Sequence, residues 1–102
     1  MHEHAVILSR AELEAMISDL VLKYHAERAL LFGSYARGDA TAASDIDLVV
    51  YGGPAFHNTD IFAFAEELHE RSGKPVDVYE ISELRVGTSF YDSVMAEGVN
   101  VA

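Results

Sequence analysis

Two neighbouring segments decide the fold: LLFGSYARGD at residues 30–39 and SDIDLVV at residues 44–50. Each contains a short apolar run, which predicts buried strands over Ala29–Phe32 and Asp45–Tyr51. Small and polar residues from Gly33 onward fill the interval between them, which predicts a turn with room for a short helix. Because this link is short for a parallel crossover, we expect the two strands to be antiparallel.

The flanking sequence predicts helices on both sides of this pair. Ser9 and Glu12 form a capping box, and apolar residues at helical spacing follow it, so a first helix is expected over residues 10–25. Gly73 is placed to end a second helix, and Ser82 to cap a short one. The other expected elements are a helix over Thr59–Arg71, a strand over Pro75–Ile81, a helix over Ser89–Glu97 and an edge strand over residues 99–101.

The order of these elements predicts an α/β (α+β) fold with a small mixed β-sheet flanked by helices. A whole helix separates the second and third strands, which permits them to be parallel. The core residues expected from the second helix are Ile61, Phe62, Phe64, Ala65 and Leu68. With 102 residues and no linker or repeat, we expect a single domain over residues 1–102.

The composition restricts the function. Seventeen acidic and seven basic residues give a net charge of −10, and there is no cysteine. Disulfides and thiolate chemistry are therefore excluded, and direct nucleic-acid binding is not expected because it depends on basic groups. If the chain handles phosphates it should need divalent cations, and a macromolecular partner should be basic.

Neither a membrane span nor a secretory leader is expected. No apolar run approaches the roughly 18–20 residues that cross a bilayer, and the segment Met1–His4 lacks the basic start of a signal peptide. The expected location is the cytoplasm, without a membrane partner.

Carboxylates and a Gly-Ser turn are the candidate chemical groups. Asp45 and Asp47 are two apart on a predicted strand, so their side chains should share a face, where Mg²⁺ could neutralise them. Gly33-Ser34 directly follows a strand, where glycine allows a close approach to phosphate. Asp77 interrupts an apolar strand between Val76 and Val78, so it needs either a metal or a salt bridge.

Taken together, Gly33-Ser34, Asp45-Ile46-Asp47 and Asp77 resemble the nucleotidyltransferase superfamily typified by DNA polymerase beta. Arg37-Gly38 also fits the Ala-Arg-Gly of many members, and the resemblance covers residues 10–101. Within the superfamily the chain resembles the minimal nucleotidyltransferase (MNT) group, which implies the nucleotidyltransferase fold. Members of that group pair with HEPN-family toxins, which are basic helical ribonucleases, and silence them by transferring AMP from ATP to a tyrosine.

The resemblance also implies a role for each matched residue. Asp45 and Asp47 would hold two Mg²⁺ ions, and Asp77 would share one ion and help draw the proton from the attacking hydroxyl. Gly33-Ser34 would hold the β- and γ-phosphates of ATP. Arg37 would either contact phosphate or support the loop. The implied partner is a HEPN toxin in a hetero-oligomer.

Two alternatives stay open from the sequence. An antitoxin could neutralise its toxin by binding alone, since the acidic surface suits that role equally. A small-molecule nucleotidyltransferase of the aminoglycoside type is also conceivable, although such enzymes usually need an added domain or a dimer. The pair Glu66 and His69, three apart on a helix, lacks the second pair that a di-metal helical bundle requires.

Overall fold

The computed structural model describes residues 7–102. The segment Met1–His4, on which the expectation about a leader depends, lies outside these residues. The elements are α1 (Arg10–Lys23), β1 (Arg28–Phe32), α2 (Gly33–Arg37), β2 (Ile46–Tyr51), α3 (Asp60–Ser72), β3 (Val76–Glu80), a 3₁₀ turn (Ile81–Glu83), α4 (Ser89–Glu97) and β4 (Val99–Asn100).

Four strands form one mixed sheet in the order β3-β2-β1-β4. β1 is antiparallel to both β2 and β4, whereas β2 and β3 are parallel. The predicted fold class and strand directions are therefore confirmed. β3 is an edge strand of this sheet, a position that the sequence did not indicate.

One face of the sheet is packed against α1 and α3, and we call it the covered face. It carries Leu31, Leu48 and Val50, all fully buried. The apolar stripe of α1 and the residues Phe64 and Leu68 of α3 close it from the outside. Burial of this kind is the main favourable contribution to folding.

The helix termini follow their local sequence signals. The Ser9 hydroxyl accepts a hydrogen bond from the Glu12 backbone N–H, and the Glu12 carboxylate accepts one from Ser9, which confirms the capping box. Gly73 ends α3 with a φ of 71°, in the left-handed region that glycine adopts easily. None of the helices within residues 7–102 is both long and apolar enough to cross a membrane.

Two local expectations were wrong. Phe62 is 73% exposed rather than part of the core, because α3 directs Phe64 and Leu68 toward the sheet and Phe62 to the other side. Ser82 does not cap the short helix after β3. Glu80 does so instead, accepting hydrogen bonds from the Ser82 backbone N–H and hydroxyl.

Candidate active site

The second side of the sheet carries the acidic residues, and we call it the carboxylate face. Phe32, Asp47 and Asp77 are Cα partners in one row across β1, β2 and β3. Residues paired in this way project to the same face, so the Asp47 and Asp77 side chains lie side by side. Asp45 precedes β2 by one residue, and its charge acts on the same carboxyl group of Asp47.

Asp47 is the most perturbed acid of the row. Partial burial, then the charges of Asp77 and Asp45, raise its pKa from 3.8 to about 6. A hydrogen bond with Asp77 adds to this rise, and the charge of Arg37 opposes it. Crowded carboxylates of this kind repel one another, so the row favours either a proton or a cation among them.

Asp77 is arranged differently from the sequence interpretation. It was expected inside a core strand, but its side chain is exposed because β3 lies at the sheet edge. Burial therefore forces no partner on Asp77, and that expectation was wrong. Its proximity to Asp47 instead follows from the parallel register of the two strands.

Gly33 is fitted to the Asp47 carboxylate. Its φ of 73° is in the left-handed region, and a Cβ added there would collide with Asp47 Oδ2. Ser34 follows it in the first turn of α2, and the N-cap residue Phe32 supplies no side-chain acceptor to this turn. The backbone next to the carboxylate is thus both close and rich in N–H donors.

Arg37 is held by two carboxylates. Its Nε lies 3.2 Å from Asp39 Oδ2, and its Nη1 lies 3.3 Å from Glu97 Oε1. The pair with Glu97 ties the end of α2 to the end of α4. The geometry supports the loop-supporting role of Arg37, and the role in phosphate binding stays a prediction.

Two cations that the sequence did not single out brace the segments that carry the site. The Arg10 guanidinium donates to the carbonyl oxygens of Tyr35 and Ala36 at 3.2 and 3.0 Å, which anchors α2. Lys74, only 1% exposed, donates from Nζ to the Ala42 carbonyl at 2.7 Å and so holds the loop before Asp45. Both contacts join distant parts of the chain, so no local signal marks them.

The donor set suits Mg²⁺ in combination with phosphate. Carboxylate oxygens are the ligands that Mg²⁺ prefers, and it commonly takes one or two of them together with substrate phosphates and water. Within residues 7–102, no three acidic or imidazole side chains are gathered closely enough to hold a metal by themselves. Substrate phosphates and water would complete the coordination of such an ion.

Glu66 and His69 lie apart from this row, in a shallow groove between α3 and Pro75-Val76. His69 Nδ1 lies 2.7 Å from the Lys74 carbonyl oxygen, which gives this ring a structural partner. The pair therefore belongs to the α3–β3 connection rather than to the carboxylate row.

The sheet brings an Asp-x-Asp pair and a further aspartate beside a connection that runs from a strand through Gly-Ser into a helix. This arrangement is typical of nucleotide-transferring proteins. The family model described as "Polymerase beta, Nucleotidyltransferase" matches residues 15–102. The chain belongs to this polymerase beta nucleotidyltransferase family.

Two curated relatives of similar length indicate the kind of nucleotidyltransferase that this chain resembles. Two proteins of Methanocaldococcus jannaschii, each named "putative protein adenylyltransferase", are 34% and 32% identical to it. The alignments cover 88% and 84% of this chain, and 95% and 90% of the relatives. The family and its class of enzyme, nucleotidyltransferase, are thus shown by both comparisons.

Solved structures agree on the fold. A "putative minimal nucleotidyltransferase" is 31% identical, with a TM-score of 0.72 over 88% of this chain and 89% of that one. A toxin–antitoxin complex with AMP-PNP gives 0.74 at 24% identity, over 87% and 72% of the two chains. A complex of tri-AMPylated Shewanella oneidensis HEPN toxin with MNT antitoxin gives 0.69 at 21% identity, over 91% and 71%.

Proposed function

We propose that this chain is an antitoxin that transfers AMP from ATP, with Mg²⁺, to a tyrosine hydroxyl of a partner HEPN-family toxin. The observation that carries the proposal is the row of Asp47 and Asp77, with Asp45 beside it, directly against the Gly33 backbone. The names of the M. jannaschii relatives support protein adenylylation. The fold shared with toxin–antitoxin complexes supports the kind of partner.

The aspartates and the Gly33-Ser34 turn would have different roles in this reaction. Asp45 and Asp47 would hold two Mg²⁺ ions, with Asp77 sharing one of them. When bound, these ions neutralise phosphate charge and polarise the phosphorus that is attacked. Gly33 and Ser34, at the start of α2, would donate hydrogen bonds to the β- and γ-phosphates.

The remaining chemistry is a single displacement. The toxin hydroxyl oxygen forms a bond to the α-phosphorus, and the bond from that phosphorus to the bridging oxygen breaks, so pyrophosphate leaves. Asp77, exposed at the sheet edge, would accept the hydroxyl proton. Alignment and charge neutralisation supply most of the rate enhancement in such reactions.

The charge of the chain supports a basic protein partner. A net charge of −10 on 102 residues attracts a cationic surface and repels free polynucleotides. A complex of the two proteins, rather than a complex with nucleic acid, is therefore the expected assembly.

The experiment that tests the proposal is intact mass spectrometry of the partner toxin. The chain is incubated with ATP, Mg²⁺ and the protein encoded beside it, and a metal-chelated reaction serves as the blank. We expect a metal-dependent gain of one or more AMP masses on the toxin. The variant Asp45→Asn/Asp47→Asn should abolish this gain while keeping the fold.

A matched control removes the same charge elsewhere. Glu66→Gln/Glu70→Gln takes two carboxylates from α3, away from the row, and should transfer AMP at the normal rate. Undiminished transfer by the Asp45/Asp47 variant would refute the assignment of these carboxylates.

The acidic charge also favours a second candidate, neutralisation of the toxin by binding alone. In that case the Asp45→Asn/Asp47→Asn variant would still protect cells that express the toxin. Loss of protection while the complex still forms would eliminate this candidate.

A further inference from the structure

Three aromatic rings next to the carboxylate row have no part in the phosphate and metal chemistry proposed above. Phe32 is the register partner of Asp47. Tyr79 is two residues beyond Asp77 on β3, so it shares the carboxylate face. Phe90 lies in the first turn of α4 and reaches over both.

The rings form a closed triangle. The centroid distances are 5.9 Å for Phe32–Phe90, 5.5 Å for Tyr79–Phe90 and 6.3 Å for Phe32–Tyr79. Their planes are inclined by 76°, 66° and 39°, so no pair is stacked face to face. We call this cluster the aromatic triad.

The aromatic triad is open on one side. Phe90 is 43% exposed although it packs against two other rings, and exposed aromatic surface is costly in water. A planar, apolar ligand could cover the ring of Phe90. The carboxylate row lies beside the aromatic triad, because neighbouring strands are only about 4.8 Å apart. A ligand that covers Phe90 would therefore also lie close to these carboxylates.

We infer that the aromatic triad stacks the base of the bound nucleotide, with Phe90 as the contacting ring. The inference rests on the proposed function, which anchors the phosphates between Gly33 and Asp47. The base is tethered to those phosphates through one ribose, and the first apolar surface beside this anchor on the carboxylate face is the triad. Aromatic rings bind bases by stacking on their flat faces.

Stacking by the aromatic triad should not select one base over another. Every base has a flat π-face, so a stacking platform adds affinity with little choice among bases. The triad should therefore strengthen binding of ATP and GTP alike.

The test is isothermal titration calorimetry on the isolated chain with Mg²⁺. One probe is an ATP analogue with a methylene bridge between the α- and β-phosphates, and the other is inorganic tripolyphosphate, which has no base. The variants are Phe90→Ala and Phe90→Leu, the latter keeping apolar volume without a ring. Met95→Ala is the matched control, since Met95 is another partly exposed apolar residue of α4, at 37%.

We expect Phe90→Ala to weaken binding of the analogue about tenfold, with Phe90→Leu also weaker than wild type. Binding of tripolyphosphate should stay the same in both variants, and Met95→Ala should bind both probes normally. Equal losses for both probes would overturn the inference, because the change would then not concern the base.

Normal analogue binding by Phe90→Ala would also overturn it. If transfer to the toxin slowed in that case, the aromatic triad would instead contact the acceptor. A wild-type chain that binds neither probe with Mg²⁺ would refute the proposed function itself. The two failures are thus distinguishable.

Discussion

The covered face and the carboxylate face of the sheet differ in the burial and the charge of their side chains. On the covered face, Leu31 and Leu48 are completely buried against α1 and α3. On the carboxylate face, the partly buried Asp47 is surrounded by like charges and Phe90 remains partly in water. Adjacent residues of β2 therefore differ in their surroundings: Leu48 packs in the main core, whereas Asp47 faces other carboxylates. The carboxylate face still contributes to stability, because Val49 is fully buried there against Leu84 and Val94.

The largest expected effect is on the covered face. Leu48→Ala removes a fully buried side chain and should lower the free energy of unfolding by about 2–5 kcal/mol, a large share of a small domain's stability. Urea denaturation measures it. Nucleotide affinity of the molecules that remain folded should not change. A loss below about 1 kcal/mol would mean that this face relaxes around the cavity.

The next effect is at the contact between backbone and carboxylate. Gly33→Ala adds a Cβ that collides with the Asp47 carboxylate at a positive φ, so it should cost about 1–3 kcal/mol and abolish nucleotide binding. Gly38→Ala is the matched control, because Gly38 also has a positive φ, 84°, but open space around its Cβ position. It should lose less stability and still bind nucleotide. If both variants lost the same stability and nucleotide binding, the contact between Gly33 and Asp47 would not be the cause.

The smallest effect is the pH dependence of Asp47. Its pKa is raised from 3.8 to about 6 on folding, so the folded chain holds this proton more tightly than the unfolded chain. The stabilisation from the protonated group is complete below pH 3.8 and is lost as the pH rises to about 6. Asp47→Asn should thus raise the free energy of unfolding at pH 7 by on the order of 1 kcal/mol, after allowance for solvent screening.

Urea denaturation from pH 4 to pH 7 measures this dependence. The advantage of Asp47→Asn over wild type should vanish toward pH 4, where both side chains are neutral. Glu70→Gln, which removes an exposed carboxylate of α3, is the control for a general change in net charge. A constant difference between Asp47→Asn and wild type across this range would show that the raised pKa of Asp47 is not the cause.

Local patterns in the sequence were sufficient for most of the fold. The capping box at Ser9, the left-handed Gly73 and the short link after Phe32 each depend on neighbouring residues, and the structure confirms all three. Phe62 and Asp77 were misjudged for different reasons. Phe62 is two residues from Phe64 on α3, about 200° around the helix, so helical periodicity itself puts it on the far side. Asp77 is exposed because β3 lies at the sheet edge, and strand order cannot be read from periodicity.

The sequence also predicted part of the candidate site. The proximity of Asp47 and Asp77 follows from a parallel register that helix α3 makes possible, and their chemical roles stay predictions. Arg10 and Lys74 were missed because their contacts span 26 and 32 residues along the chain. A single sequence carries no signal for such pairs.

The antiparallel pairing of β1 and β2 also has a kinetic consequence. Their connection is short, so Gly33, Asp45 and Asp47 are brought together by a local loop closure that costs little chain entropy. Asp77 reaches them through the parallel pairing of β3, which closes a longer loop that includes α3. We therefore expect Gly33, Asp45 and Asp47 to come together early in folding, and Asp77 to join them at a slower, non-local step.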